Sequence, residues 1–382
     1  MVYRFGQLFE IIDGDRGNNY PKDSDFYEEG YCLFLNAGNV TKNGWSFENN
    51  IYITEEKDGQ LRNGRVSRGN TVLTTRGTVG NAAYYGDRVT YDHLRINSGM
   101  VILSAKDNSI IDNEFIYYLI TSPVVRKTIE LFCSGSAQPQ LPIKDFVKIK
   151  YDLPSIDKQR KIVSVLSAYD TLIEVNNKRI KVLEQMAENL YKEWFVRFRF
   201  PGHENVEFEN GIPKGWEYHS LNKLFDIRYG KDHKNVDDGK IPIFGSGGLM
   251  RYCDKALYNG ESVLIPRKGT LNNIMYYNGP FWTVDTMFYT IMLKKYFAKY
   301  AYYTLSKFDM ESYNSGAALP SMTTDILCHL KILVPDDKAL GMFDRFIEDI
   351  FAQKDALTKQ NENLGCQRDL LLPRLMSGKL EL

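Results

Sequence analysis

Apolar residues recur in alternating steps of three and four along a stretch after residue 154, and at every seventh position along a second stretch near the carboxyl end. This heptad spacing puts them on one side of an α-helix and is typical of helices that pair as a coiled coil. We call these contact positions the seam. We expect the seam to contain Leu166, Tyr169, Ile173, Asn176, Ile180, Leu183 and Leu190 in the first helix, and Ile350, Leu357, Leu364 and Leu371 in the second.

Asn176 is the polar member of the seam and has two interpretations. A single buried Asn in a coiled coil aligns the helices at some cost in stability, whereas an Asn that faces solvent has no such role. An isolated amphipathic helix gains most of its stability from packing. We therefore expect the two helices to pair with each other, antiparallel, within this chain.

The chain also repeats itself. The segment SGSAQP at 134–139 matches SGAALP at 315–320, and the same ungapped offset pairs Leu153-Pro154 with Val334-Pro335. With a gap, Arg76-Gly77-Thr78 matches Arg267-Lys268-Gly269-Thr270, each after a short apolar run. Internal similarity of this kind indicates two copies of one structural plan. Each copy is a turn-rich mixed stretch followed by a long helix.

These patterns predict an α+β protein with two globular recognition domains, separated by two long helices that form an antiparallel intramolecular coiled coil, in a pseudo-twofold internal repeat. A Pro- and Gly-rich hinge at 200–216 separates the copies. The expected domains are recognition domain 1 at 1–153, spacer helix 1 at 154–200, the linker with recognition domain 2 at 201–334, and spacer helix 2 at 335–382.

The composition limits the number of domains and the class of protein. The 382 residues carry 48 basic and 48 acidic side chains and are 43% hydrophobic, which suits two or three globular domains. Apolar runs stay far below the roughly 20 residues that a membrane helix needs, and the amino end lacks the pattern of a signal peptide. We expect a cytoplasmic protein with no membrane partner.

The sequence contains few patterns that are typical of metal sites or catalytic sites. The five Cys and five His residues show no metal-ligand spacing, and the chain lacks a phosphate-binding loop, a nucleophile elbow and a dinucleotide-binding glycine motif. It also lacks the Asn-Pro-Pro-Tyr motif of amino-methyltransferases, and Glu55-Glu56-Lys57 is more typical of a solvated turn than of a nuclease site. We expect no metal, no cofactor and no catalytic residues in this chain.

A binding function fits better. Tyr and Phe, 25 and 21 residues, alternate with Arg, Lys, Asn and Thr in glycine-rich segments. Arg pairs with guanine, Asn with adenine, and Thr contacts the thymine methyl group, although the same side chains also bind phosphates or form surface ion pairs. The candidate DNA-binding residues are Arg65, Arg68, Arg76, Thr78, Lys231, Ser246, Arg251, Arg267, Lys268, Thr270 and Asn272.

Three segments resemble one family. LPSIDKQRKI at 153–162 and LYKEWF at 190–195 resemble the spacer of type I restriction–modification specificity subunits. GIPKGWE at 211–217 resembles the entry to their second recognition domain, and LLPRLMSGKL at 371–380 resembles their carboxy-terminal signature. With the repeat, the resemblance covers the whole chain. The second helix departs from the pattern, with DDKALGM at 336–342.

The resemblance implies a non-catalytic subunit that binds double-stranded DNA at a bipartite target, one recognition domain for each half. It implies two methyltransferase subunits as partners, which bring S-adenosylmethionine, and restriction subunits bound through them, which use ATP and Mg²⁺. Helix faces outside the seam would bind the methyltransferase subunits. From the residues alone, two other classes remain: a scaffold built from a coiled coil with two end domains, and an enzyme with an unfamiliar site.

Overall fold

The computed structural model describes residues 1–133, 139–313 and 321–381. Most of both SGSAQP and SGAALP lies outside the described residues, so that part of the sequence match has no structural account. The chain forms two compact units. The first contains Met1–Val175 and Gln360–Leu382, and the second contains Asn176–Lys359.

The first unit contains twelve of the strands that the structure describes, and most of them are short. The helices of this part of the chain are α1 (Phe5–Leu8), α2 (Glu55–Gln60), α3 (Asn113–Thr121), α4 (Pro123–Phe132), α5 (Ile143–Phe146) and the start of α6 (Ile156–Tyr191). The strands are β1 (Val2–Arg4), β2 (Phe9–Asp13), β3 (Cys32–Leu35), β4 (Val40–Thr41), β5 (Gly44–Trp45), β6 (Tyr52–Ile53), β7 (Arg65–Val66), β8 (Thr71–Thr74), β9 (Ala82–Tyr84), β10 (Leu94–Ile96), β11 (Met100–Ala105) and β12 (Lys150–Asp152).

The second unit has longer strands. They are β13 (Phe208–Glu209), β14 (Ile212–Pro213), β15 (Glu217–Ser220), β16 (Phe225–Tyr229), β17 (Ile241–Gly245), β18 (Gly248–Cys253), β19 (Tyr258–Pro266), β20 (Met275–Thr283), β21 (Met287–Met292) and β22 (Lys331–Val334). The helices are α7 (Ala298–Leu305), α8 (Thr324–His329) and the start of α9 (Asp337–Met376), and a π-helical turn at Lys192–Val196 extends the end of α6.

Sheet topology shows the repeat clearly. In the first unit one sheet has the order β2-β11-β8-β9, and β1 pairs with β12. In the second unit the order β16-β21-β19-β20 recurs within a six-stranded sheet, and β15 pairs with β22. The pairs β11·β8 and β21·β19 are both antiparallel. The first unit adds a second four-stranded sheet, β6-β3-β10-β7, and the second unit adds β17 and β18 at the sheet edge.

The two long helices pack against each other inside each unit. In the first unit, Ile162 and Leu166 near the start of α6 share a core with Leu372 and Leu375 near the end of α9. In the second unit, the end of α6 and the start of α9 share a core. The start of one helix thus meets the end of the other, which is the antiparallel pairing that the sequence predicts.

The expected seam positions are buried or half-buried. Leu166 is fully buried, and the other seam residues besides Asn176 are half-buried. Asn176 is 5% exposed, which fits the interpretation as a buried aligning residue rather than a solvent-facing one. Burial along α6 follows the heptad spacing because only one side of each helix faces its neighbour.

Aromatic side chains anchor the second unit around the hinge. Trp216 is 3% exposed, stacks on Phe200 with ring centroids 5.1 Å apart, and donates a hydrogen bond from Nε1 to Asp336 Oδ2 at 3.2 Å. Phe195 in the π-helical turn after α6 contacts Phe343 of α9 edge-on, with ring centroids 4.8 Å apart. Such ring contacts stabilise beyond the area that they bury, and they fix the hinge segment to the helices.

Candidate nucleic-acid interface

Three loops meet beside the main sheet of the first unit: 14–17 after β2, 75–80 after β8, and 97–99 before β11. We call them loop group 1. Gly14 lies so close to the 97–99 turn that a Cβ atom on it would be 2.1 Å from the Asn97 carbonyl oxygen. The Gly99 carbonyl oxygen accepts hydrogen bonds from the Thr75 and Arg76 amides at 2.8 and 3.1 Å. Backbone contacts therefore hold the three loops together.

The second unit builds the same arrangement from different residues. Loop group 2 consists of 230–234 after β16, 267–273 after β19, and 284–286 before β21. A Cβ atom on Gly230 would be 2.0 Å from the Val284 carbonyl oxygen. The Thr286 carbonyl oxygen accepts from the Arg267 and Lys268 amides at 2.8 and 3.2 Å. Gly230 thus corresponds to Gly14, and Thr286 to Gly99.

The turn matched in the sequence adopts one conformation in both units. Gly77 and Gly269 have φ angles of 72° and 84°, a left-handed region that favours glycine. The residue before each glycine forms an isolated antiparallel bridge, Arg76 with Gln140 and Lys268 with Ser321. The match between RGT and RKGT therefore reflects a shared loop structure.

A hairpin tip enlarges loop group 2. Ser246 and Gly247 connect β17 to β18, and the Ser246 carbonyl oxygen accepts a hydrogen bond from Asn273 Nδ2 at 2.8 Å. A cavity of about 510 Å³ lies between this tip and the loops, with Asp232 and Asp285 in its lining. Concave sites with a few polar groups are typical places for ligand contacts.

Five of the candidate DNA-binding residues lie in the loop groups and have no side-chain hydrogen bond or ion pair within the part of the chain that the structure describes. Arg76 and Thr78 are exposed in loop group 1, Lys231 and Thr270 are exposed in loop group 2, and Lys268 is half-buried there. Ser246 is half-buried at the hairpin tip. These side chains are available for a ligand.

Two other candidates in loop group 2, Arg267 and Asn272, and Arg251 on β18 already use their polar atoms in the fold. The Arg267 guanidinium donates to the Asp285 carbonyl oxygen at 3.1 Å. Arg251 donates to the carbonyl oxygens of His233 and Val236 at 2.6 and 3.0 Å. The Asn272 side chain accepts from the Met310 amide at 2.7 Å. Their expected DNA contacts stay predictions.

Arg65 and Arg68 lie in the first unit, outside loop group 1. Arg65 pairs with the Asp58 carboxylate, which is buried and also pairs with Arg95. Burial raises the pKa of Asp58, but hydrogen bonds from Arg95 and Arg65 outweigh it and lower that pKa below its ordinary value. Arg68 lies over the Tyr85 ring, 4.2 Å from its centroid. Contact of these two residues with DNA also remains a prediction.

Sequence reasoning missed the first loop of loop group 1, and in the first loop of loop group 2 it named only Lys231. In loop group 1, Asp15 accepts from the Gly17 and Arg62 amides, both at 2.7 Å. These hydrogen bonds lower the pKa of Asp15 to about 2. The signal was a glycine directly after a strand in both copies, Gly14 and Gly230, which a gapped comparison of the copies would have aligned.

No helix in the described ranges combines the length and apolar character needed to cross a membrane. Within the same ranges, no three His, Cys, Asp or Glu side chains come together as a group able to hold a metal ion.

The fold and the loop groups define a class of protein in which two copies of one α+β recognition domain are joined to a pair of long helices. A family model described as the type I restriction modification DNA specificity domain matches residues 1–185 and 213–364. This match covers most of the chain, so the chain belongs to that family. Membership confirms the resemblance found in the sequence, and the expected role of a DNA specificity subunit rather than an enzyme agrees with it.

Similar proteins span nearly the whole chain. The specificity subunit of the type I restriction enzyme MjaIX from Methanocaldococcus jannaschii is 26% identical over 404 residues, covering 98% of this chain and 89% of that protein. The HindI specificity subunit from Haemophilus influenzae is 20% identical, covering 96% and 98%. A crystal structure of the type I system S subunit from M. genitalium has the same fold, with a TM-score of 0.57, 16% identity and coverage of 98% and 95%.

Proposed function

We propose that this chain is the DNA specificity subunit of a type I restriction–modification complex and that each recognition domain binds one half of a bipartite target. The domains are 1–153 and 201–334. The observation that carries the proposal is the repeated loop group, because both copies hold a basic turn on the same backbone scaffold, with Arg76 exposed in one and Lys268 half-buried in the other.

Loop groups suit DNA because they combine cations with neutral hydrogen-bonding side chains. Lys and Arg neutralise phosphates and supply most of the non-specific affinity, whereas hydroxyl and amide groups at base edges supply specificity. Arg76 and Thr78 would contact one half-site, and Lys231, Ser246, Lys268 and Thr270 the other. A net charge of zero does not oppose this, since local basic turns are enough to bind a duplex.

The partners follow from the same proposal. Two methyltransferase subunits would bind helix faces outside the seam and bring S-adenosylmethionine, and restriction subunits would join through them with ATP and Mg²⁺. This chain would hold no cofactor of its own. The complex would act in the cytoplasm, where the methyltransferase subunits find their DNA.

The experiment is to co-express the chain with its cognate methyltransferase subunit and to map methylated adenines across a genome by single-molecule sequencing. We expect a bipartite motif, one half of which changes when residues 1–150 are exchanged for those of a relative. A stable complex without any motif would contradict the proposal and favour a scaffold. Methyl transfer by the isolated chain would instead indicate an enzyme.

A further inference from the structure

Lys299, the second residue of α7, is a buried cation in the second unit. Its side chain is 2% exposed, and Nζ lies 2.9 Å from Glu261 Oε1 on β19. The same nitrogen lies 2.8 Å from Asp344 Oδ1 and 2.8 Å from Glu348 Oε2, both on α9. One ammonium group therefore joins the recognition domain to the long helix through three carboxylates. We call these four residues the Lys299 cluster.

Neighbouring side chains hold the cluster in place. Tyr276 on β20 donates a hydrogen bond to Glu261 Oε1 at 2.5 Å, and its ring packs edge-on against Phe351 of α9 at 5.2 Å. Burial by itself lowers the pKa of Lys299, but the hydrogen bonds to Asp344, Glu348 and Glu261 outweigh it and raise that pKa above its ordinary value. Lys299 therefore stays charged at neutral pH.

Stability alone does not explain a lysine at this position. A buried ion pair is often no more stabilising than apolar residues of similar size, because removing the charges from water offsets their attraction. A cation in the first turn of a helix also opposes the helix dipole. The best-attested use of such a buried group is to select one alignment of the packed elements.

The geometry of the Lys299 cluster favours one position of the second recognition domain along α9. Apolar side chains tolerate small sliding movements, but Nζ needs carboxylates from β19 and α9 within 3 Å at the same time. A shift of α9 by one turn, about 5.4 Å, would separate them. In the first unit α3 takes the place of α7 and uses a neutral donor, because Tyr118 Oη bonds to Asp170 on α6 at 2.7 Å. The lysine is thus a feature of the second domain.

We propose that Lys299 is a positioning residue that sets the alignment of the second recognition domain on α9 and thereby restricts the complex to one spacing between the two half-sites. This inference rests on the proposed function. Lys299 does not contact DNA itself. It acts by holding the second recognition domain, which contacts the DNA, in one position.

The test is a spacing measurement on the complex with the methyltransferase subunit. The double variant Lys299→Met with Asp344→Leu removes the cation together with its most buried carboxylate, which is 17% exposed, and leaves Glu261 and Glu348, which are 34% and 56% exposed. We expect both half-site sequences to be retained. Methylation of sites whose half-sites are one base pair closer or farther apart should rise about tenfold relative to the normal site. Unchanged spacing in an assembled complex would overturn the proposal.

A second variant keeps the test decisive if the double variant does not assemble. Glu348→Gln removes one charge from the exposed edge of the cluster, so the fold should tolerate it. We expect a smaller relaxation of spacing in the same direction. If the double variant fails and Glu348→Gln methylates with wild-type spacing, the proposal is wrong.

The matched control is Lys307→Met. Lys307 also joins this domain to a long helix, through Glu188 on α6, but its side chain is 43% exposed. We expect wild-type spacing, and equal relaxation in this control would overturn a special role for Lys299. The two proposals fail in different ways. A wild-type complex without a bipartite motif contradicts the proposed function, whereas a wild-type motif that the Lys299 variants leave unchanged contradicts only the positioning role.

Discussion

Arg76 pairs with Gln140 in an isolated antiparallel bridge, and Lys268 pairs with Ser321 in the same way. Each bridge ties the basic turn to a segment that enters a short helix, α5 or α8, shortly before the last strand of the domain. The turn is therefore fixed on both sides: by its bridge, and by the carbonyl oxygen of Gly99 or Thr286. A preorganised loop loses less entropy on binding than a mobile one.

Lys268→Ala tests the turn in the second domain. We expect weaker DNA binding by the assembled complex and a salt dependence that is shallower by about one unit of slope, because one phosphate contact is lost. Binding at several salt concentrations measures this. Lys331→Ala, an exposed lysine on β22 rather than in loop group 2, is the control and should leave the slope unchanged. An unaltered slope in Lys268→Ala would show that this turn does not contact phosphate.

Gly14→Ala tests the backbone contact that builds loop group 1. The new Cβ atom would lie 2.1 Å from the Asn97 carbonyl oxygen, so the 97–99 turn must move. We expect the free energy of unfolding to fall by about 1–3 kcal/mol and methylation to fall with it, because Gly99 no longer holds Thr75 and Arg76.

Calorimetry and a methylation assay measure the two effects of Gly14→Ala. Gly59→Ala in α2 is the control, since nothing lies within 4 Å of the added atom, and it should stabilise by roughly 0.5–1 kcal/mol. Unchanged stability and methylation in Gly14→Ala would mean that the turn can shift at no cost.

Asp170→Ala tests the helix pairing in the first unit. The Asp170 carboxylate accepts from Arg368 at 2.6 Å and from Tyr118 at 2.7 Å, and both members of the ion pair are less than 20% exposed. Loss of hydrogen bonds to a charged group should lower the free energy of unfolding by about 1.5–3 kcal/mol.

The matched control for Asp170→Ala is Asp369→Ala. Asp369 pairs with the same Arg368 but is 65% exposed, so its removal should cost about 0–1 kcal/mol. Urea denaturation compares the two variants. Equal losses would indicate that the burial of Asp170 adds nothing to the pair.

Asp15→Asn tests the charge in the first loop of group 1. The pKa of Asp15 is about 2 in the folded chain, below its ordinary 3.8, because the Gly17 and Arg62 amides bond to the carboxylate. Because the carboxyl group has a lower pKa in the folded chain than in the unfolded chain, its ionised form stabilises the fold at pH values above the ordinary pKa. This stabilisation is lost as the pH falls through the pKa of the folded chain. The difference in free energy of unfolding between wild type and variant should therefore be full above pH 4 and shrink towards pH 2. A difference that stays constant across this range would contradict the assignment.

Much of the architecture follows from local pattern. Heptad spacing predicts α6 and α9 and their seam, because burial on one side of a helix leaves a period in the sequence. The RGT and RKGT segments predict a shared turn because a left-handed residue requires glycine at the same place. The family resemblance rests on the ends of the long helices and on the hinge, where the signature residues follow one another directly in the sequence.

What only the tertiary structure decides is which polar side chains are free. Sequence treats Arg68, Arg251 and Lys268 alike as exposed cations, yet the first two bond to backbone carbonyl oxygens and the third has no such partner among the described residues. Lys299 has no helical or strand period to mark it, because its carboxylates come from residues 38, 45 and 49 positions away. Periodicity records burial along one element, whereas these contacts join elements that are distant in sequence, and only the folded chain brings them together.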